Sequence, residues 1–236
     1  MSKILLIETS TALCSTALSE DGKILCARQS TEPRAHAAMT AVFLKEMLDE
    51  CGLRAADCDA VCVSAGPGSY TGLRVGSSTA KGICLAAGLP LLSLGTPDIL
   101  AAQARSEGLL PEGCRYIVPM VDARRMEVYT ALFSADGQRL TDTRAMVVDE
   151  QSYRAQREEG PVLFIGDGAA KCAELLEGNG AVFVQVCPVA TAMAGPAQQA
   201  FDARRFEDPA YFEPFYLKEF VATTGKNLLH SGRERV

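Results

Sequence analysis

The order of apolar runs and turns along this 236-residue chain predicts an α/β protein built as two duplicated lobes of mixed sheet. Two observations lead there. Each half opens with a strand, a second strand, an Asp-Gly turn (Asp21-Gly22, then Asp136-Gly137) and a third strand before helices follow. In the first half a glycine-rich turn, Gly66-Pro67-Gly68-Ser69-Tyr70-Thr71-Gly72, separates an apolar strand from a helix. At such a junction free backbone N–H groups and the helix dipole favour anions.

The elements follow in order. Residues 3–8, 13–19 and 23–29 read as strands, the last two joined by the first Asp-Gly turn. Residues 35–51 read as a helix ended by Gly52. A buried strand over 60–64 leads through the glycine turn into a helix that runs to Ala87. Residues 89–94 form a strand, and Pro97 opens a helix to about Glu107. The second half gives strands at 115–122, 127–135 and 138–148, a helical patch at 150–159, a strand at 162–165, a helix at 169–177, a strand at 182–186 and a helix at 191–204. The lobes are expected at residues 1–107 and 108–222, with 223–236 as a polar tail.

Helix 35–51 carries a further clue. Met39, Phe43, Met47, Cys51, Leu44, Leu48 and Ala41 span roughly 200° of its circumference, where one buried face needs about 100°. Half of that arc suits the sheet. The other half, Met39-Phe43-Met47, is left for a partner helix or for deeper envelopment by the fold.

Several chemistries are excluded. Three residues part Gly68 from Gly72 where a dinucleotide fingerprint has two, and Leu73-Arg74 follows Gly72 where a phosphate loop has Lys-Ser/Thr. A tight connection that binds nothing is the plain alternative. Two histidines far apart, His36 and His230, argue against zinc. Nine cysteines, an odd number with no C-x-x-C pair, read as reduced and mostly buried thiols. Ser69 has no histidine in suitable relation for a hydrolase triad. A net charge of −6 argues against binding nucleic acid unaided. No apolar run spans a membrane and no signal peptide is evident, so a cytoplasmic location is expected. Thr9, Ser10 and Thr11, in the turn after the first strand, could face a nucleotide or simply stabilise the turn. Glu8 and Asp122 end apolar strands and are the candidate acids, although Arg124 and Arg125 make a structural ion pair for Asp122 equally apt. Ile165-Gly166-Asp167-Gly168 is a second glycine turn before a helix.

Four segments together resemble a known family: Ile4-Leu5-Leu6-Ile7-Glu8-Thr9-Ser10-Thr11, the Gly66–Gly76 loop, Val121-Asp122-Ala123-Arg124-Arg125-Met126-Glu127-Val128-Tyr129, and Pro214-Phe215-Tyr216-Leu217-Lys218. The chain is similar to the TsaB (YeaZ) family, accessory subunits of the bacterial machinery that makes threonylcarbamoyladenosine in tRNA. Glu8 stands where the family pattern has Asp, Met126 where it has Gly, and Lys218 where it has Arg. The resemblance implies the two-lobed actin-like/sugar-kinase fold. It implies a non-catalytic role, docking on and activating a catalytic homologue, TsaD, through helices 35–51 and 73–87 in a four-helix bundle. The implied interface residues are His36, Met39, Phe43, Met47, Arg74, Ser77 and Lys81. The pathway ATPase TsaE is an expected further partner, the chain alone is left open between monomer and homodimer, and tRNA is met only through the complex. The catalytic homologue holds a metal through two histidines four residues apart. Laid on this chain those positions fall at Thr96 and Leu100, and neither side chain replaces a histidine. No metal and no tightly bound cofactor is therefore expected. Weak ATP or ADP binding is conceivable at Thr9, Ser10, Gly66, Gly68, Ser69, Tyr70, Thr71 and Gly72. The competing functions are a stand-alone actin-fold small-molecule kinase or ATPase and, further off, a metallopeptidase.

Overall fold

The computed structural model describes residues 1–32, 35–178 and 180–217; Lys218 and the expected tail at 223–236 lie outside the described residues. Lobe 1 opens with β1 (Lys3–Glu8), β2 (Cys14–Glu20) and β3 (Lys23–Ser30), an antiparallel run with Leu5 opposite Leu18. Asp21 and Gly22 turn between the last two strands with φ of 47° and 75°, the left-handed pair that a two-residue hairpin needs. After α1 (Ala35–Glu50), β4 (Ala60–Gly66) lies parallel to β1; after α2 (Tyr70–Ala87), β5 (Leu91–Gly95) lies parallel to β4. The sheet order is β3-β2-β1-β4-β5. β1 is apolar on both sides because both faces are covered. Leu5 and Ile7 join Leu44, Met47 and Leu48 of α1, while Ile4 and Leu6 face the opposite core.

Lobe 2 repeats this plan with β6 (Tyr116–Asp122), β7 (Glu127–Thr130), β8 (Phe133–Ser134), β9 (Arg144–Val147), α4 (Arg154–Glu159), β10 (Val162–Ile165), α5 (Ala169–Leu176) and β11 (Ala181–Val184). Its order, β9-β7-β6-β10-β11, matches lobe 1 strand for strand, with the short β8 paired to β6. The single strand expected over 127–135 is broken. The Leu132 N–H donates to the Thr141 hydroxyl at 2.9 Å instead of to a strand, so β7 and β8 separate. The strand expected over 138–148 contracts to four residues for the same reason.

The lobe boundary needs a correction. The last helix of each half crosses to the other side. α3 (Thr96–Ser106) gives Ile99 to the core of lobe 1 but Leu100, Ala101 and Ala104 to that of lobe 2. Ala190, Met193 and helix α6 (Ala194–Asp202) pack with Ile4, Leu6 and Leu92, so residues 190–202 belong to the core of lobe 1 rather than to a unit ending at 222. The chain beyond stays on lobe 1. The Glu207 N–H donates to the Leu91 carbonyl at 2.8 Å and the Phe215 N–H to the Ala65 carbonyl at 2.7 Å.

Candidate functional site

The glycine turn does its first work inside the fold. Ser69 caps α2, its hydroxyl accepting from the Gly72 N–H at 3.3 Å. The Ser69 N–H donates to the Ser10 carbonyl at 2.6 Å, which pulls the turn down onto the end of β1. No side chain fits in that contact. A Cβ on Gly68 would lie 2.2 Å from the Ser10 carbonyl oxygen, one on Gly72 2.1 Å from that of Thr9, and one on Gly76 2.2 Å from the Thr9 hydroxyl. So the structure does bring Gly68, Ser69 and Gly72 to Thr9 and Ser10, by packing them together. Thr9 and Ser10 are fully buried and Thr11 nearly so; the hydroxyls do not face open space. Of the eight candidate nucleotide residues only Ser69 and Thr71 are exposed, with Gly68 and Tyr70 half-buried and Gly66 buried.

Glu8 closes this junction from the other face of the sheet. Its carboxylate accepts from the Ser10 N–H at 2.5 Å and its other oxygen has no partner among the described residues. Complete burial pushes its pKa up to about 7, against the pull of hydrogen bonds from Ser10 and Ser64. The unpaired hydroxyl of Thr96 is buried as well. Thr96 and Leu100 lie in the interior, and no group of three or more His, Cys, Asp or Glu side chains suited to a metal occurs among the described residues.

The matching junction of lobe 2 has an exposed acid, Asp122, and a half-buried one, Asp167. Asp122 pairs with Lys171 of α5, not with Arg124 or Arg125 as its neighbourhood in sequence suggests. Those two arginines instead form the turn, with φ of 69° and 50°, while Met126 carries no positive φ. That is why the glycine expected at 126 is dispensable. The Asp122 N–H donates to Asp167 at 2.9 Å, and burial raises the Asp167 pKa. Nothing in the sequence marks Lys171 as the partner of Asp122; the pair exists only because α5 folds back beside β6.

The outer face of lobe 1 does not expose most of the residues expected at an interface. α1 and α2 lie side by side on one side of the sheet. The Met39-Phe43-Met47 stripe is not the exposed one: Met47 is 0 % and Phe43 7 % exposed, and Met39 is half-buried beside Cys14 and Ala35. The apolar arc is wide because the fold envelops the helix on that side. Ser77 is buried too, facing the sheet one turn after Leu73. Lys81 donates to the Ala210 and Phe212 carbonyls at 3.3 and 3.1 Å, which ties α2 to the returning C-terminal segment. His36 is half-buried. Of the expected interface residues Arg74 alone is fully open, its guanidinium over the Tyr70 ring, which in turn meets Tyr216. The outward-facing residues mix small and apolar side chains, Ala37, Ala41, Val42, Ser78, Gly82 and Leu85, with the charged Lys45, Glu46, Asp49 and Glu50 toward the C-terminal half of α1. Val42 is 42 % and Leu85 68 % exposed. Between the helices runs an open groove of about 440 Å³, floored by Val75 and Thr79 and edged by Ala37, Arg74 and Ser78. Alanines look neutral on a helical wheel, so the pattern of large residues alone did not show which side of the helix is open.

Two lobes on one duplicated strand order, each with a glycine turn pressed on the end of its first strand, define the actin-like/sugar-kinase class of fold. Within that class the chain belongs to the TsaB (YeaZ) family. A family model described as TsaD, tRNA N6-adenosine threonylcarbamoyltransferase, matches residues 29–213. The chain is 30 % identical over 232 residues to tRNA threonylcarbamoyladenosine biosynthesis protein TsaB of Escherichia coli (strain K12), covering 93 % of this chain and 96 % of the relative. It is 28 % identical over 179 residues to the protein of the same name from Bacillus subtilis (strain 168), covering 74 % and 75 %. The solved structure of YeaZ from Pseudomonas aeruginosa superposes with a TM-score of 0.80 at 25 % identity, over 92 % of this chain and all of that one.

Proposed function

We propose that this chain serves tRNA threonylcarbamoyladenosine biosynthesis as a non-catalytic subunit, docking on and activating the catalytic transferase homologue. The observation that carries the reading is the outer face of α1 and α2. These are the two longest helices among the described residues, 16 and 18 residues. The surface beside the groove between them, at Ala37, Ala41, Ser78 and Gly82, is made of small side chains, with the charges of α1 gathered further along at Lys45, Glu46, Asp49 and Glu50. Ala37, Ala41, Ser78 and Gly82 let a second helix pair approach closely, and Val42 and Leu85 supply apolar anchors. A partner of the same fold brings an equivalent pair, which gives a four-helix bundle. The same logic allows one copy to meet another when the partner is missing.

The anchors of this proposal therefore shift from Phe43 and Met47 to Val42, Ser78 and Leu85. Arg74, at the edge of the groove, stays in it. Catalysis is assigned to the partner, because the positions aligned with its histidines are Thr96 and Leu100, both in the interior. ATP or ADP, if either binds, meets Ser69, Tyr70 and Thr71 at the surface rather than the sealed hydroxyls. The pathway ATPase is a further proposed partner, and tRNA contacts the assembly through the others.

Reconstitution tests this reading. Substrate tRNA, the catalytic homologue, the pathway ATPase, the enzyme that forms the threonylcarbamoyl adenylate and ATP are incubated with and without this chain. Modified adenosine is measured by mass spectrometry. Product is expected only with the chain present and none from the chain without the homologue. Equal product in its absence rejects the accessory role.

A further inference from the structure

The Cys26 and Cys51 sulfurs lie 3.6 Å apart, in hydrogen-bond contact, although 25 residues separate them in sequence. No other pair of thiols among the described residues is in such contact. Cys26 sits on β3, at the edge of the lobe 1 sheet, and Cys51 follows the last turn of α1. Both are half-buried, and both rest against the core that holds Leu44, Met47 and Leu48. Closing a disulfide needs about 2.05 Å between sulfurs, an approach of roughly 1.5 Å. Both ends have room to give. β3 has no neighbour on its outer side, and its pairing with β2 already slips between Leu18 and Ser19, Leu18 being opposite Cys26. Cys51 precedes Gly52, whose φ of 65° ends the helix.

We propose that Cys26 and Cys51 form a thiol-exchange site, which takes a small disulfide such as oxidised glutathione and closes into an intramolecular bond between β3 and the end of α1. The proposal does not depend on the docking role. In the first step the Cys51 thiolate attacks one sulfur of the small disulfide. That S–S bond breaks, one small thiolate leaves and a mixed disulfide forms on Cys51. In the second step Cys26 gives up its proton and attacks the Cys51 sulfur, expelling the second small thiolate. Two protein thiols are oxidised by two electrons, the small disulfide is reduced to two thiols, and the two protons end on them.

The order of attack follows from the surroundings. Burial and the neighbouring Cys51 thiol push the Cys26 pKa up to about 12, against the pull of the nearby Arg28. Cys26 also donates toward the Met47 carbonyl at 3.9 Å. A thiol held protonated is slow to start an exchange, and an adjacent mixed disulfide raises the local concentration of its target. Cys26 is thus the resolving thiol and Cys51 the one that meets the substrate.

The test exposes the full, folded chain to oxidised glutathione at pH 8, followed by alkylation in acid and peptide mapping without reduction. Free thiols are expected to fall from nine to seven, with the Cys26 and Cys51 peptides joined and two hydrogens lost in mass. Cys26→Ser is expected to stall with one glutathione on Cys51. Cys51→Ser is expected to form no intramolecular bond and to keep at most one glutathione, on Cys26. All nine thiols persisting in the wild-type chain, a Cys51–Cys58 link, or stable glutathione on both cysteines would each overturn the proposal. The wild-type map decides it even if a serine variant folds poorly.

Discussion

The two lobes repeat one strand order and put it to different ends. In lobe 1 the glycine turn is pressed onto Thr9 and Ser10, next to the buried acid Glu8. In lobe 2 the equivalent turn is pressed onto Met120, where a Cβ on Gly166 would lie 2.2 Å from the carbonyl oxygen, yet Asp122 reaches the surface and finds Lys171. The helices differ as sharply. α1 and α2 have 16 and 18 residues; their counterparts α4 and α5 have 6 and 8. The close glycine contact is thus a property of the shared fold. What sets lobe 1 apart is the sealed acid and a helix pair long enough to form a second surface.

The largest effect tests what the lobes share. Gly72→Ala drives a methyl into the Thr9 carbonyl and Gly166→Ala drives one into that of Met120. Each is expected to cost about 3–5 kcal/mol of stability in urea denaturation. A loss below about 1 kcal/mol in either would show that the turn there is not held by close packing.

A smaller effect separates the lobes. The folded Glu8 pKa of about 7 exceeds its ordinary 4.5, so the unfolded chain releases this proton first as pH rises. Stability from this group is therefore highest below pH 4.5, falls as pH rises to 7, and has lost about 3 kcal/mol above that. Glu8→Gln keeps an acceptor for the Ser10 N–H and removes the charge. It is expected to stabilise the chain by about 2–3 kcal/mol at pH 8 and to leave it unchanged at pH 4. Asp122→Asn breaks a surface ion pair and should cost no more than about 1 kcal/mol at pH 7. Urea curves for both variants at pH 4, 7 and 8 make the comparison; a Glu8→Gln gain that does not change with pH contradicts the buried-charge account.

How much of this was legible follows the same divide. The duplication was readable because hairpin turns and apolar strands are local signals. The strand 162–165 was bounded correctly by its apolar run, and Asp21-Gly22 fixed the hairpin turn of lobe 1, whereas Asp136-Gly137 turns only between β8 and an isolated bridge at Arg139. The exchange of α3 and α6 between lobes was not readable, since their apolar faces fit either sheet. The glycine turn was located, but its demand for space came from Thr9 and Ser10, nearly 60 residues earlier in the chain. The partner of Asp122 was missed because proximity in sequence favoured Arg124 over a lysine on a distant helix. The exposure of Phe43 and Met47 was misread, because large apolar side chains look alike on a helical wheel whether they meet a partner or the chain's own core.

The central claim is that lobe 1, through the outer side of α1 and α2, is the docking lobe. Titration calorimetry of the intact chain against the catalytic homologue tests it most directly, using Val42→Asp and Ser78→Asp on that face and Val147→Asp on the exposed strand of lobe 2. Thermal unfolding confirms that each variant is folded. The account predicts that each lobe 1 substitution weakens binding by about 2 kcal/mol, roughly thirtyfold, while Val147→Asp leaves it within about 0.5 kcal/mol of wild type. Unchanged affinity for both lobe 1 variants, or a loss confined to Val147→Asp, would contradict it.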